Sequence, residues 1–308
     1  MTAGLALCLQ ALAAGATTPR WQTLSRGPRT VLFRSQDTAA APRMLELAET
    51  AALAVASEMG ERAGLPLTVV IASSDEEFRS VTGGAIPDWG VGAADAERSL
   101  VVLKSPRIVS YPLETGTVVL HEVAHVFAGR ALAGVDCPRW FDEGVAMAVA
   151  GEWRLAESAA LAGAVLTGRA HTLKSLEDGF PEDAHGAALA YAESFQAVRF
   201  LMQEAGLDAP GALVREVALQ RDFEAAVRRL SGRSADSFEA GFRSFLRRRF
   251  GWGTLLTGTG AAFLAATCVF LAAALAKAAR ARRRLAELAD EEARHVPRGR
   301  PRDGSSWM

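Results

Sequence analysis

The chain has 308 residues, half of them hydrophobic, with 34 Lys and Arg set against 35 Asp and Glu. That length can bury one sizeable core with room for further segments. A net charge of −1 gives no overall electrostatic case for a nucleic-acid partner. Cys8, Cys137 and Cys268 fall in three different regions, so no disulfide framework is expected, and Cys137 reads as a half-buried structural thiol.

Leu5 to Ala14 is an apolar run too short to span a bilayer, and Ala14-Gly15-Ala16 follows as a small-x-small sequence. Together they predict a signal peptide over residues 1–16, although no Lys or Arg precedes the run. Residues 17–250 then read as one domain. "RTVLFRS" (29–35), "LPLTVVIAS" (65–73) and "LVVLKS" (100–105) predict strands. Between them, residues 41–64 carry an apolar helical stripe that ends near Gly60 or Gly64. A short helix is predicted over 75–83 with Ser74 as its N-cap. Residues 87–99 read as loop. From Glu114 onward the pattern is almost entirely helical, so strands come first and helices later, an α+β arrangement with a small sheet.

Inside the first of those helices lies "TVVLHEVAHVFAGR" (117–130). Positions i and i+4 of a helix share one face, so His121 and His125 project together and can bind one metal ion through their imidazoles. Glu122 can then stand beside the ion, where a general base takes a proton from water. A catalytic zinc needs a third protein ligand, whereas a structural zinc site would need four closed ligands, for which there is no cysteine cluster. Downstream, "CPRWFDEGVAMAVAGEW" (137–153) predicts a new helix carrying Asp142 and Glu143. The two point about 100° apart, so only one faces a metal held by the histidines.

The stretch "HEVAHVFAGRALAGVDCPRWFDEGVAMAVA" (121–150) resembles the gluzincin metallopeptidases, in particular the peptidase MA-like domains of exported bacterial proteins. Trp140, Glu143, Gly144 and Ala146 match that family's W-x-x-E-G-x-A. The segments before it, with "DWGVG" and an edge strand, and "ALAYAESFQAVRFL" after it, extend the likeness over most of residues 65–202. The resemblance implies a zincin-like fold, one zinc ion held by His121, His125 and Glu143, and Glu122 as general base. It also implies a residue that stabilises the oxyanion, for which Tyr191, His185 and His171 compete. The G-x-M-E-N signature of the M1 aminopeptidases is missing, so an endopeptidase acting on peptide or protein substrates is expected. A zincin-like module that binds a peptide or envelope partner without cutting it is the alternative.

Trp252 to Ala276 carries no charge over 25 residues. As a helix it would extend about 37 Å, enough to cross a bilayer. Lys277, Arg280, Arg282, Arg283 and Arg284 follow it at once. With the signal peptide, this predicts a single transmembrane helix at 252–276, an extracytoplasmic catalytic domain and a basic cytoplasmic tail at 277–308 in a bacterial cell membrane.

Overall fold

The computed structural model describes residues 20–295, apart from 63, 85–86, 88–89, 112, 154 and 252–257. The predicted signal peptide therefore lies outside the described residues. The chain divides into two units, Met1–Phe250 and Gly251–Met308.

The first unit begins with a mixed five-stranded sheet. Its strands are β1 (Gln22–Arg26), β2 (Arg29–Phe33), β3 (Leu67–Ala72), β4 (Gly92–Asp95) and β5 (Leu100–Lys104), in the order β1-β2-β3-β5-β4. β1 and β2 form an antiparallel hairpin whose turn uses Gly27 at a positive φ of 54°. β2, β3 and β5 are parallel, with Val31 opposite Val69 and Val70 opposite Val102. Parallel neighbours need a crossover, and helix α1 (Ala41–Met59) provides the one between β2 and β3. Its stripe of Met44, Leu45, Ala48, Ala52, Val55 and Met59 is buried with Val31, Val69 and Val101 in the main core. Gly60, left-handed at φ 71°, caps its end. Helix α2 (Asp75–Thr82) covers the opposite face, where Phe78 packs with Val70, Ala72 and Val102. Ser74 caps α2 as the sequence predicts, accepting from the Glu77 amide at 3.1 Å. Burial on both faces explains why "LTVVIA" and "LVVLK" are continuous apolar runs without alternation.

Two strands depart from the sequence reading. Residues 87–99, read as loop, contain β4, and β4 rather than 100–105 is the edge strand at that end of the sheet. "GAAD" has no β-branched residue to announce a strand. It forms because the free side of β5 presents backbone groups that it can pair with. β1 was likewise unread.

The helical body follows: α3 (Thr115–Ala131), α4 (Arg139–Ala150), α5 (Leu155–Thr167), α6 (Ala184–Ala205), α7 (Pro210–Gln220), α8 (Phe223–Ser231) and α9 (Ala235–Phe250). α4 packs between α3 and α6. Its Phe141 is fully buried and meets Trp140 and Phe223 edge-on, at centroid separations of 5.9 and 5.0 Å. Burying one such ring contributes on the order of 1.5–3 kcal/mol. That anchor fixes how α4 is rotated, and so which of its side chains face α3.

In the second unit, α10 runs from Gly258 to His295. The predicted apolar span ends at Ala276, and the helix itself continues through Lys277 and Arg280–Arg284. Among the described residues no helix is long and apolar enough to cross a membrane. Residues 252–257 of the predicted span, and 296–308 of the tail, lie outside the described residues.

Candidate metal centre

Helix α3 buries Val118, Val119, Glu122, Val123, Val126 and Phe127. That face presses into the core and turns His121 and His125 together toward α4. Their Nε2 atoms stand 3.1 Å apart. Glu143 Oε2 lies 3.5 Å from His121 Nε2 and 3.4 Å from His125 Nε2. Ligands about 2.0–2.2 Å from a tetrahedral zinc stand roughly 3.3 Å from one another. The three atoms already have the mutual spacing of a zinc ligand set.

The two carboxylates that helical spacing left open part company here, on the side that the family resemblance implies. Glu143 is 9% exposed and meets both imidazoles, whereas Asp142 is 45% exposed and reaches the far side of one ring. Asp142 Oδ2 is 3.1 Å from His125 Nδ1. Glu152, which the sequence reading missed, takes the equivalent place on the other ring, with Oε1 3.0 Å from His121 Nδ1. Each imidazole thus has a carboxylate close behind it, although the Glu152 approach to His121 Nδ1 lacks hydrogen-bond alignment; carboxylates in this place orient metal-binding histidines. Glu152 lies beyond the end of α4, where Gly151 at φ 69° reverses the chain and brings it back. Helical periodicity cannot signal such a return.

Electrostatics support a cation. Burial alone would lower the His121 pKa, but Glu143 and Glu152 outweigh it and push it up to about 10. Burial also works against charge on His125, and Asp142 with Glu143 raises its pKa well above the ordinary value. Burial would raise Glu143, yet the two imidazoles hold it well below the usual carboxylate range. The pocket is built to enclose positive charge among three carboxylates, which a divalent ion satisfies.

Glu122 sits beside this set. It is 8% exposed, and its pKa is raised first by burial. A Cβ placed on Gly92 of β4 would come within 2.2 Å of Glu122 Oε1. A side chain there would displace the carboxylate, so glycine at the edge strand makes room for Glu122. A second glycine sets the other wall. A Cβ on Gly144 would lie 2.4 Å from the Ser194 carbonyl oxygen, so α4 and α6 touch backbone to backbone. Tyr191 is one turn before Ser194 on α6 and enters the same cleft. Its hydroxyl pKa is raised by burial and by Glu143.

The cleft has a volume of about 1400 Å³ and is lined by His121, Glu122, His125, Glu143 and Tyr191 on one side and by Gly90–Ala94 on the other. It exceeds the roughly 300–1,000 Å³ of small-molecule pockets and can take an extended peptide. The other two competitors for the oxyanion role do not line it. His171 Nδ1 is held 2.7 Å from Glu193, and His185 is exposed near the start of α6. Cys137 does line the cleft, but burial, then Asp142 and Asp136, push its thiol up to about 12. It stays protonated and unreactive at neutral pH.

Among solved structures, the chain is similar to native yeast LTA4 hydrolase, with a TM-score of 0.48 and 12% identity over 71% of this chain and 38% of that one. The same yeast protein in complex with bestatin gives a TM-score of 0.43 and 14% identity over 77% and 38%. A two-domain M1 zinc metallopeptidase variant bound to L-arginine gives 0.38 and 16% over 75% and 51%. The chain thus spans 38–51% of the length of those proteins. No curated protein matches the chain by sequence. The model of the Peptidase MA superfamily matches residues 47–248, a range that takes in the sheet from β3 onward and the whole metal centre. The small N-terminal sheet followed by a helical body is a zincin-like α+β fold, and the chain belongs to the Peptidase MA superfamily.

Proposed function

We propose that the protein is a zinc-dependent peptidase that hydrolyses peptide bonds. The observation that carries this reading is the convergence of His121 Nε2, His125 Nε2 and Glu143 Oε2 within 3.5 Å, with Glu122 alongside in a peptide-sized cleft. His121, His125 and Glu143 would hold the zinc. When bound, zinc supplies Lewis-acid polarisation and lowers the pKa of water.

The chain's own residues account for the rest. The buried Glu122 carboxylate, its pKa raised by burial, takes a proton from the attacking water and later gives it to the leaving nitrogen. The Tyr191 hydroxyl remains protonated across the physiological range and donates a hydrogen bond to the oxygen that gains charge. Asp142 and Glu152 hold the two imidazoles in register. The proposal extends to endopeptidase action, since the sequence has no G-x-M-E-N with which to hold a free amino terminus. It also extends to export and a single membrane anchor, supported by the apolar N-terminal run and by the uncharged stretch from Trp252 to Ala276. Exposed Val269, Phe270, Leu271 and Leu275 on α10 are compatible with an apolar environment for that stretch.

The test is zinc content and turnover on the same preparation. One zinc per chain, lost in His121→Ala, together with chelator-sensitive cleavage of a peptide library, is the expected result. Zinc without any cleavage would point instead to a module that binds peptides and releases them intact. Fractionation of expressing cells with protease-accessibility mapping tests the anchor, and full recovery in the soluble fraction would remove it.

A further inference from the structure

Two arginines line the cleft, Arg130 and Arg139. Arg130 is turned aside to the Ser99 hydroxyl at 2.5 Å. Arg139 is not, and neither the motif nor the metal set uses it. It is the first residue of α4, fixed by its backbone N–H donating to the Glu177 carbonyl at 2.8 Å. Its guanidinium carbon stands 5.1 Å from the centre of the Phe180 ring. The same ring meets Tyr191 edge-on at 5.0 Å. Phe180 is thus a shared platform that keeps Arg139 and Tyr191 on one wall of the cleft. From there Arg139 Nη2 donates to Glu143 Oε1 at 3.3 Å. Oε1 is the oxygen that Glu143 does not turn to the histidines. The guanidinium also acts on the Tyr191 hydroxyl by its charge, opposing the rise in pKa that burial and Glu143 cause.

The chemistry of arginine gives this arrangement a direction. A guanidinium has five donors and no acceptor, and it never loses its charge in a protein. Wherever it meets the Tyr191 hydroxyl, the tyrosine oxygen must be the acceptor. The O–H hydrogen is then free to point elsewhere, and Tyr191 opens on the cleft. On its other side the same planar fork occupies Glu143 Oε1 and leaves Oε2 as the oxygen that faces the two imidazoles. A lysine, with one compact ammonium, cannot serve both partners at these separate positions.

We infer that Arg139 is a positioning residue that holds Glu143 through Oε1 and sets the Tyr191 hydroxyl as a donor toward the oxyanion of a peptide substrate. The inference rests on the peptidase reading for what Tyr191 donates to, but not for the Arg139–Tyr191 pairing itself.

Two readouts on the full-length, zinc-loaded protein test it. The first is kinetic, at saturating zinc, on a fluorogenic peptide that the wild type cleaves. Tyr191→Phe should lower kcat by about 10²–10³, the usual effect of losing one oxyanion donor. Arg139→Lys should lower kcat at least about ten-fold with KM nearly unchanged, and weaken a phosphonate transition-state analogue by the same factor. Because saturating zinc keeps the site filled whether or not Arg139 holds Glu143, the double variant should be no slower than Tyr191→Phe alone, since both changes then remove one interaction. Losses that multiply, or an unchanged kcat in Arg139→Lys, would overturn the inference. The second readout needs no turnover. The chain has only two tyrosines, Tyr111 and Tyr191. With tyrosine labelled by carbon-13 at Cζ, Tyr191→Phe assigns the two signals. Arg139→Lys should shift the Tyr191 signal and leave that of Tyr111, whose hydroxyl donates to the Lys104 carbonyl. A protein that binds zinc, cuts nothing and still shows the shift would refute the peptidase reading while retaining the pairing. An unshifted Tyr191 signal in a folded variant would refute the pairing.

Discussion

His121 and His171 both turn Nδ1 toward a glutamate, Glu152 at 3.0 Å and Glu193 at 2.7 Å. Their surroundings differ. The second oxygen of Glu193 accepts the His171 backbone N–H at 2.8 Å, and Glu239 takes the Leu173 N–H at 2.7 Å. Two carboxylates thereby clasp the segment between α5 and α6, and the imidazole is one more donor to a buried acid. At His121 the outer nitrogen instead meets a second imidazole and a third carboxylate. Among the described residues, His121, His125 and Glu143 are the one set of three metal-capable groups. A carboxylate behind a histidine therefore marks an oriented ring. What makes a metal centre is convergence on the other side of that ring.

The sharpest way to separate the two groups is to neutralise Glu122, the proposed base. Glu122→Gln should lower kcat by about 10²–10⁴ with zinc content unchanged. His171→Ala, by contrast, should leave both zinc and kcat within about two-fold. Elemental analysis beside kinetics decides, and zinc lost with Glu122→Gln would make Glu122 a ligand.

A smaller effect is expected at the carboxylates behind the rings. Asp142→Asn and Glu152→Gln should each weaken zinc binding by about 10–100-fold, read by chelator competition. Glu143→Ala should lose the metal at concentrations where Asp142→Ala keeps it. The reverse order would reassign the third ligand.

The clasp should answer in stability alone. Glu193→Ala strands the His171 amide and should cost about 1–3 kcal/mol in denaturant unfolding, with zinc affinity unmoved. A zinc defect in that variant would mean that the two groups are coupled through α6.

The least effect belongs to Cys137. With its pKa pushed up to about 12, the thiol ionises only in strong alkali, so alkylation at pH 8 should be far slower than for a free cysteine. Mass spectrometry of the cysteine peptides reads this directly. Rapid labelling at Cys137 would show that the cleft is more open to water than its packing implies.

Much of the centre was legible because it is local. The i, i+4 spacing of His121 and His125 is a property of any helix, and Ser74, Gly60 and the α1 stripe follow from equally local rules. The match to W-x-x-E-G-x-A already points to Glu143 rather than Asp142, but the physical cause of that choice is not local. It depends on the rotation of α4, which the burial of Trp140, Phe141 and Val145 sets. β4 was missed for the same reason, since "GAAD" becomes a strand only beside β5. The end of the apolar run at Ala276 is not the end of α10, because charge does not stop a helix and alanine-rich sequence carries it onward to His295.

By itself, then, the sequence determined that two histidines and a glutamate share a helical neighbourhood, and that an α+β chain with an acidic residue downstream can complete a zinc site. Spacing along one helix encodes that much without knowledge of neighbours. Only the tertiary structure showed why Glu143, which the motif match already indicates, faces the imidazoles, that Asp142 and Glu152 stand behind them, and that Tyr191 rather than His171 or His185 enters the cleft. Those choices depend on how helices rotate and how closely they approach. Packing at Phe141 and the bare backbone at Gly92 and Gly144 fix both, through contacts between residues far apart in the chain.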